Sequence, residues 1–357
     1  MNLETHLETL TERDARDFGR IVRLLKAQPE AEPSPGLHER ITAQLAKRPK
    51  LPKVWRWAAA AALLAILFSL TSLFREGPPV ASEETRWLAE NQEADGSWDP
   101  ARHGGVEAFR PALTALSLLA LRQEAGAYPR QIAKGVSALA HLQAADGSFG
   151  GDDGQAQLYN LAMATYALAL CGTDSPAFSR AITRIRASQE PDGSWTYAGN
   201  HEGNAAVTAW MTRALASAET HGNTDASIPL RKGLRWLRDH VRDDGRMAYH
   251  PAAAPSDTLT ALSACSLIEA GQLFPGLKPL GIRMTDAINV QPSAAAAPDC
   301  YRDYAKIIAF ESAGKTESAE NVRTQVRQRR HGTLQDQWGI AGGQLYRVAM
   351  ITLSRAQ

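Results

Sequence analysis

Most of the side chains in this 357-residue sequence that could do chemistry are carboxylates in short polar stretches between apolar runs. Asp152 and Asp153 form an adjacent pair, Glu202 stands beside His201, Asp257 follows Ser256, and Asp299 and Asp303 flank Cys300 and Tyr301. Two carboxylates facing each other across a glycosidic bond could hydrolyse it. One strongly activated carboxylic acid could protonate an alkene. Asp299 and Cys300 with a third ligand could hold a catalytic zinc, which wants three protein ligands and an open position. Tyr159 and Tyr301 are the aromatic candidates to contact a ligand near these acids.

The elements that would position these residues are marked by a repeated phrase. Gln92-Glu93-Ala94-Asp95-Gly96-Ser97-Trp98, Gln143-Ala144-Ala145-Asp146-Gly147-Ser148-Phe149 and Gln189-Glu190-Pro191-Asp192-Gly193-Ser194-Trp195 are three copies. Val241-Arg242-Asp243-Asp244-Gly245-Arg246-Met247 keeps Asp-Gly and puts Met at the aromatic position. A worn copy runs from Gln328 to Leu334. Gly96, Gly147, Gly193 and Gly245 recur at intervals of 51, 46 and 52 residues, a period that marks repeated supersecondary units. Asp-Gly suits a tight turn because Gly takes positive φ and Asp bonds nearby backbone. The phrase reads as a helix stop, with Gln capping a helix end and the aromatic residue packing into the neighbouring unit.

Between the phrases, strongly apolar segments alternate with amphipathic ones. The apolar set is 108–121, 158–170, 205–218, 258–270, 301–310 and 345–353. The amphipathic set is 83–92, 129–143, 178–189, 229–241, 281–291 and 318–328. A helix apolar on most sides belongs inside, and one with a single apolar stripe belongs outside. Six of each predict an inner ring wrapped by an outer ring. No stretch alternates at period two, so no sheet is expected.

These phrases resemble the QW repeats of squalene and hopene cyclases and of protein prenyltransferase beta subunits. The resemblance covers residues 82–357 and implies an all-α, (α/α)6 toroid of six helical hairpins. It also implies that functional residues gather where each phrase leads into the next inner helix. Triterpene cyclases carry an Asp-x-Asp-Asp-Thr acid there. The nearest match, Ala254-Pro255-Ser256-Asp257-Thr258, has Ser256 at the proton-donor position. Asp257 is then expected as an N-terminal cap. Prenyltransferases use an Asp-x-Cys pair and a later His as zinc ligands. Here Asp299 and Cys300 are adjacent, and Gly342-Gly343-Gln344-Leu345-Tyr346 supplies no His, so no cofactor is expected. Asp299 and Cys300 are expected as a cap and a buried thiol. The resemblance thus implies a binding or scaffold toroid holding an isoprenoid or peptide ligand. A divergent cyclase or prenyltransferase, with Asp257 or Asp299 as the catalytic acid, is the alternative.

Balanced charge, 39 basic against 38 acidic residues, argues against a dedicated nucleic-acid binder. Three cysteines without paired spacing exclude a disulfide framework. Residues 1–53 read as a short helical region broken by Pro29, Pro33 and Pro35. Residues 54–74 include 18 consecutive uncharged positions from Trp57, which predicts a short transmembrane helix. Residues 75–81 read as a linker. Lys47, Arg48, Lys50, Lys53 and Arg56 precede the span, which predicts a cytoplasmic N-terminus in the cell inner membrane and a periplasmic toroid. In layout residues 1–74 resemble the front of a bacterial anti-sigma factor, without the His-and-Cys zinc cluster many of those carry. That implies a cytoplasmic protein partner for residues 1–50, and a third reading of the chain as an envelope signal transducer.

Overall fold

The computed structural model describes residues 81–124, 126–150, 154–196, 203–250, 252–292, 298–328 and 339–355. The expectations for the helical region at 1–53, the membrane helix at 54–74 and most of the linker lie outside them. So do Asp152, Asp153, His201, Glu202 and the worn phrase after Gln328. Among the described residues no helix is long and apolar enough to cross a membrane.

Twelve α-helices and no strand are found among the described residues. In chain order they are α1 (Glu83–Glu90), α2 (Arg110–Arg122), α3 (Pro129–Leu142), α4 (Gly154–Cys171), α5 (Pro176–Ala187) and α6 (Ala205–Thr220). There follow α7 (Ser227–Asp239), α8 (Asp257–Ala270), α9 (Lys278–Met284), α10 (Cys300–Ser312), α11 (Thr316–Arg327) and α12 (Gly339–Arg355). The even-numbered helices are the apolar ones. They touch in a closed circuit, α2 to α4, α6, α8, α10, α12 and back to α2. Each of α2 to α10 pairs with the amphipathic helix that follows it, and α12 pairs with α1 from the start of the domain. The result is the expected ring of six hairpins. Burial explains the sorting: nearly every residue of α6 and α8 is inaccessible, whereas α7 and α11 bury one stripe only.

The repeat phrase is the joint of this ring. Gly96, Gly147, Gly193 and Gly245 all have positive φ, from 79° to 97°. At Gly193 a Cβ would also lie 2.6 Å from the Lys232 carbonyl of α7, so the turn presses directly on the next outer helix. Asp192 Oδ1 accepts from the Ser194 N–H (2.9 Å) and Oγ (2.7 Å), and the other two intact phrases repeat the pattern. Trp98 and Trp195 are fully buried, and their indole N–H groups donate to Leu88 and Ile185 carbonyls of the preceding outer helices at 2.7 and 2.9 Å. The backbone N–H at the aromatic position donates to a threonine of the next inner helix: Trp98 to Thr114, Trp195 to Thr208, Met247 to Thr260.

Two expectations need correction. The glutamine does not cap a helix end. The amides of Gln92, Gln143 and Gln189 donate to the Gln131, Ala177 and Pro229 carbonyls in the first turn of the following outer helix, and to the carbonyl of their own phrase glycine. Those helices carry proline within their first three residues, which leaves fewer N–H groups to cap. The segment 281–291 is helical only in part: α9 ends at Met284 and a 3-10 turn covers Thr285–Ala287. Beyond it the Asn289 side chain accepts from the Gln291 N–H at 2.9 Å, a local turn that competes with helix.

The ring closes through glycine. Gly343 has φ of 61° inside α12, and a Cβ on Gly105 would meet Gly342 backbone at 2.8 Å. This close approach lets Val106 N–H donate to the Ala341 carbonyl at 2.8 Å, joining the first inner helix to the last.

Candidate functional site

The first turns of the inner helices converge on a chamber of about 150 Å³. Phe109 lines it from the turn just before α2, Ala112, Leu113 and Leu116 from α2, Tyr159 from α4, Ala206 from α6, Tyr301 from α10, and Ala341, Gly342 and Tyr346 from α12. Tyr249 reaches it from the loop before α8. The sequence places these residues there for local reasons. α2 has no side-chain cap of its own. The fully buried Asn160 of α4 supplies one, accepting from the Ala112 N–H at 3.1 Å and donating to the Ala108 carbonyl at 2.8 Å.

Aromatic contacts run inward from the chamber. Tyr159 meets Tyr301 edge to face at 6.4 Å between centroids. The Tyr301 hydroxyl accepts from Trp210 Nε1 at 2.5 Å. One turn further along α6, Arg213 is buried with its guanidinium over the Tyr166 and Trp210 rings, 4.7 and 4.6 Å from their centroids. It makes a two-pronged pair with Glu269 at 2.8 and 2.9 Å and donates to the Tyr166 hydroxyl at 3.0 Å. Burial pushes the hydroxyls of Tyr166 and Tyr304 and the Cys265 thiol upward, the last two to about 12. These groups stay neutral at ordinary pH and fill the ring's interior.

Beside the chamber lies a polar hollow of about 420 Å³, lined by Arg246, Ser256, Asp257, Thr258, Leu259, Asp299 and Arg302. It shares Ala206, Tyr249 and Tyr301 with the chamber. Burial and the neighbouring Asp299 charge raise the Tyr249 hydroxyl above its usual range.

Asp257 does not cap its helix. Ser256 does, its hydroxyl accepting from the Leu259 N–H at 3.3 Å. Asp257 is the first residue of α8 and turns sideways into two ion pairs, with Arg246 at 3.2 Å and with Lys306 at 2.9 Å. The extended backbone at Ser256 is what frees the cap from Asp257. Asp299 is the cap of α10, accepting from the Arg302 N–H at 2.9 Å, and Cys300 is a buried thiol behind it. Asp303 is fully buried on α10. Of the expected site residues, Tyr159, Tyr301, Asp257 and Asp299 come together at the mouth, while Cys300 and Asp303 line neither hollow. Among the described residues no group of three or more His, Cys, Asp or Glu is placed to hold a metal ion.

Tyr249, Tyr346, Arg246, Arg302 and Lys306 were not singled out from sequence. Lys306 had a visible signal, a cation in the middle of the apolar segment 301–310. Tyr249, Arg246 and Arg302 sit in loops or at a helix start, where periodicity says nothing about which way a side chain faces.

The family model for the squalene-hopene cyclase C-terminal domain matches residues 112–255. No curated protein matches the chain. Among solved structures, a family 76 glycoside hydrolase from a bovine Bacteroides thetaiotaomicron strain is similar at 9% identity and a TM-score of 0.55, over 77% of each chain. The unsaturated glucuronyl hydrolase from Bacillus sp. GL1 is similar at 16% identity and a TM-score of 0.38. That match takes in 50% of this chain, which spans 60% of the hydrolase's length. The family 76 likeness, like the repeat phrase, marks a squalene cyclase-like helical toroid and goes no further than the fold.

Proposed function

We propose that the toroid is a non-catalytic binding module whose mouth holds the apolar, isoprenoid-like part of a small molecule. The observation that carries this reading is the pairing of an aromatic and aliphatic chamber with acids engaged elsewhere. Asp257 is held by Lys306 and Arg246, and Asp299 caps α10. Both side chains are committed to structural contacts, whereas an alkene-protonating acid must be presented to the substrate. A concave, mostly apolar pocket with a few convergent polar groups is the usual form of a small-molecule site. The test is native mass spectrometry of the full chain purified under mild conditions. A co-purifying apolar mass, lost in Leu113→Trp, supports the reading. A wild-type protein free of any such mass in every preparation contradicts it.

A second reading is an enzyme with a divergent site. It is favoured by Asp257 and Asp299 lining the same hollow, since paired carboxylates are the working parts of glycoside hydrolysis. Recovery of the co-purified molecule in chemically altered form after incubation, abolished by Asp299→Asn, would support it.

For the N-terminal region the proposal rests on sequence. Residues 54–74 anchor the chain in the inner membrane with the toroid periplasmic, and residues 1–50 hold a cytoplasmic protein partner, as an envelope signal transducer would. The basic cluster from Lys47 to Arg56 supports that orientation. Protease added outside spheroplasts should digest the toroid and spare a tag at Met1.

A further inference from the structure

The apolar chamber has a volume of about 150 Å³. A dry cavity of about that volume, walled by aliphatic and aromatic side chains, is filled by one benzene molecule. The chamber cannot deepen along the ring, because the next side chains are already packed there. Tyr301 holds the fully buried Trp210, and the Arg213 guanidinium lies 4.6 Å from the centroid of the Trp210 ring. Arg213 is fixed in turn by its two bonds to Glu269. A way out leads past Tyr249 and Tyr301 into the polar hollow, which both side chains also line. There a methylene would meet Arg246, Asp257, Asp299 and Arg302, whose polar atoms gain nothing from an alkane.

We infer that the chamber selects its ligand by size: it takes one isoprene unit or one six-membered ring, and its floor at Trp210 and wall at Leu116 exclude a folded polyprenyl chain. This rests on the binding reading above and adds the size class of the ligand. Each carbon placed in the chamber leaves water and tightens binding about four-fold. A chain longer than about six carbons must turn into the polar hollow, where further carbons add little. A fused ring system has no room for its second ring, because a packed interior yields to overfilling only at a cost. The ligand is therefore a molecule with a short branched or single-ring apolar end.

Isothermal titration of the full chain with straight-chain alcohols from butanol to decanol tests this. Affinity should rise about four-fold per carbon to about hexanol and then level off. Benzyl alcohol should bind, and 2-naphthylmethanol should bind about ten-fold more weakly although it is the more apolar. Leu116→Ala widens the wall and should move the break to chains about two carbons longer. Affinity that keeps rising through decanol would overturn the size limit and leave the binding reading standing. Binding of no alcohol would overturn both. A break unmoved in folded Leu116→Ala would mean that this chamber does not set the limit, and would overturn the inference. Should Leu116→Ala fail to fold, the alcohol series and the naphthyl comparison decide the matter in the unsubstituted protein.

Discussion

Lys306 Nζ lies 2.9 Å from Asp257 Oδ2, tying a buried cation of α10 to an acid at the start of α8. The same ammonium donates to the Asn289 and Gln291 carbonyls at 2.8 and 2.9 Å. The return between α9 and α10 carries no copy of the repeated phrase in the sequence, not even a worn one. Lys306 does there what the phrase glutamine does elsewhere: it fastens the returning chain to its neighbours through backbone carbonyls. The arrangement gives Asp257 a structural partner at the place where a cyclase-like toroid would need a free acid.

Removing that acid should cost stability. Asp257→Asn leaves the Lys306 charge buried and short of its partner, so the chain should lose about 2–3 kcal/mol. Lys306→Met in the same background should recover part of the loss, because no stranded charge remains. Urea unfolding of the two single variants and the double variant measures both terms. An unchanged midpoint for Asp257→Asn would show the pair to be unimportant.

The phrase glycines should differ in their tolerance of alanine. Gly193→Ala meets both a positive φ and the Lys232 carbonyl at 2.6 Å, so it should cost more than about 2 kcal/mol. Gly245→Ala has the same backbone problem, but its Cβ would rest 3.7 Å from the Ala287 methyl, so about 1 kcal/mol is expected. Equal losses in thermal or urea unfolding would mean the close approach to α7 contributes nothing.

Tyr301→Phe should leave the Trp210 indole N–H without its acceptor inside the ring. An unsatisfied buried donor costs about 1–3 kcal/mol. Trp210→Phe added to it should cost less than the sum of the two single changes. Additive losses in a double-mutant cycle would show that the 2.5 Å contact carries no coupling.

Alkaline solution should weaken the fold. The Cys265 thiol and Tyr304 hydroxyl are held neutral by burial, with folded values raised to about 12. Below about pH 9 both groups are neutral in the folded and unfolded chain, and their contribution is fully present. Above that the unfolded chain ionises first, so stability should fall as pH rises towards 12. Urea midpoints at pH 8 and pH 10.5 should differ in that direction, and a flat profile would count against burial of these groups.

The ring was legible because two signals agreed. Asp-Gly at a regular period marked the turns, and segments such as 205–218 and 229–241 differed enough in apolar coverage to sort inner from outer helices. The site was legible by position rather than by role. Tyr301 and Asp299 were placed at the mouth, yet Asp257 was assigned the capping duty that Ser256 performs. Both residues suit that role, and only the backbone conformation at Ser256 decides between them. Lys306 could have been read from the sequence, because a charge inside an apolar helix must find partners or leave the core.

The claim that matters most is that an apolar ligand sits among Leu113, Tyr159 and Tyr301. Photolabelling the full chain with an alkyl diazirine, followed by peptide mapping, tests it directly. The account predicts label on the first turns of α2, α4 and α10, displaced by excess octanol and absent from Leu113→Trp. Label spread over the outer helices, with the inner first turns unmarked, would contradict it.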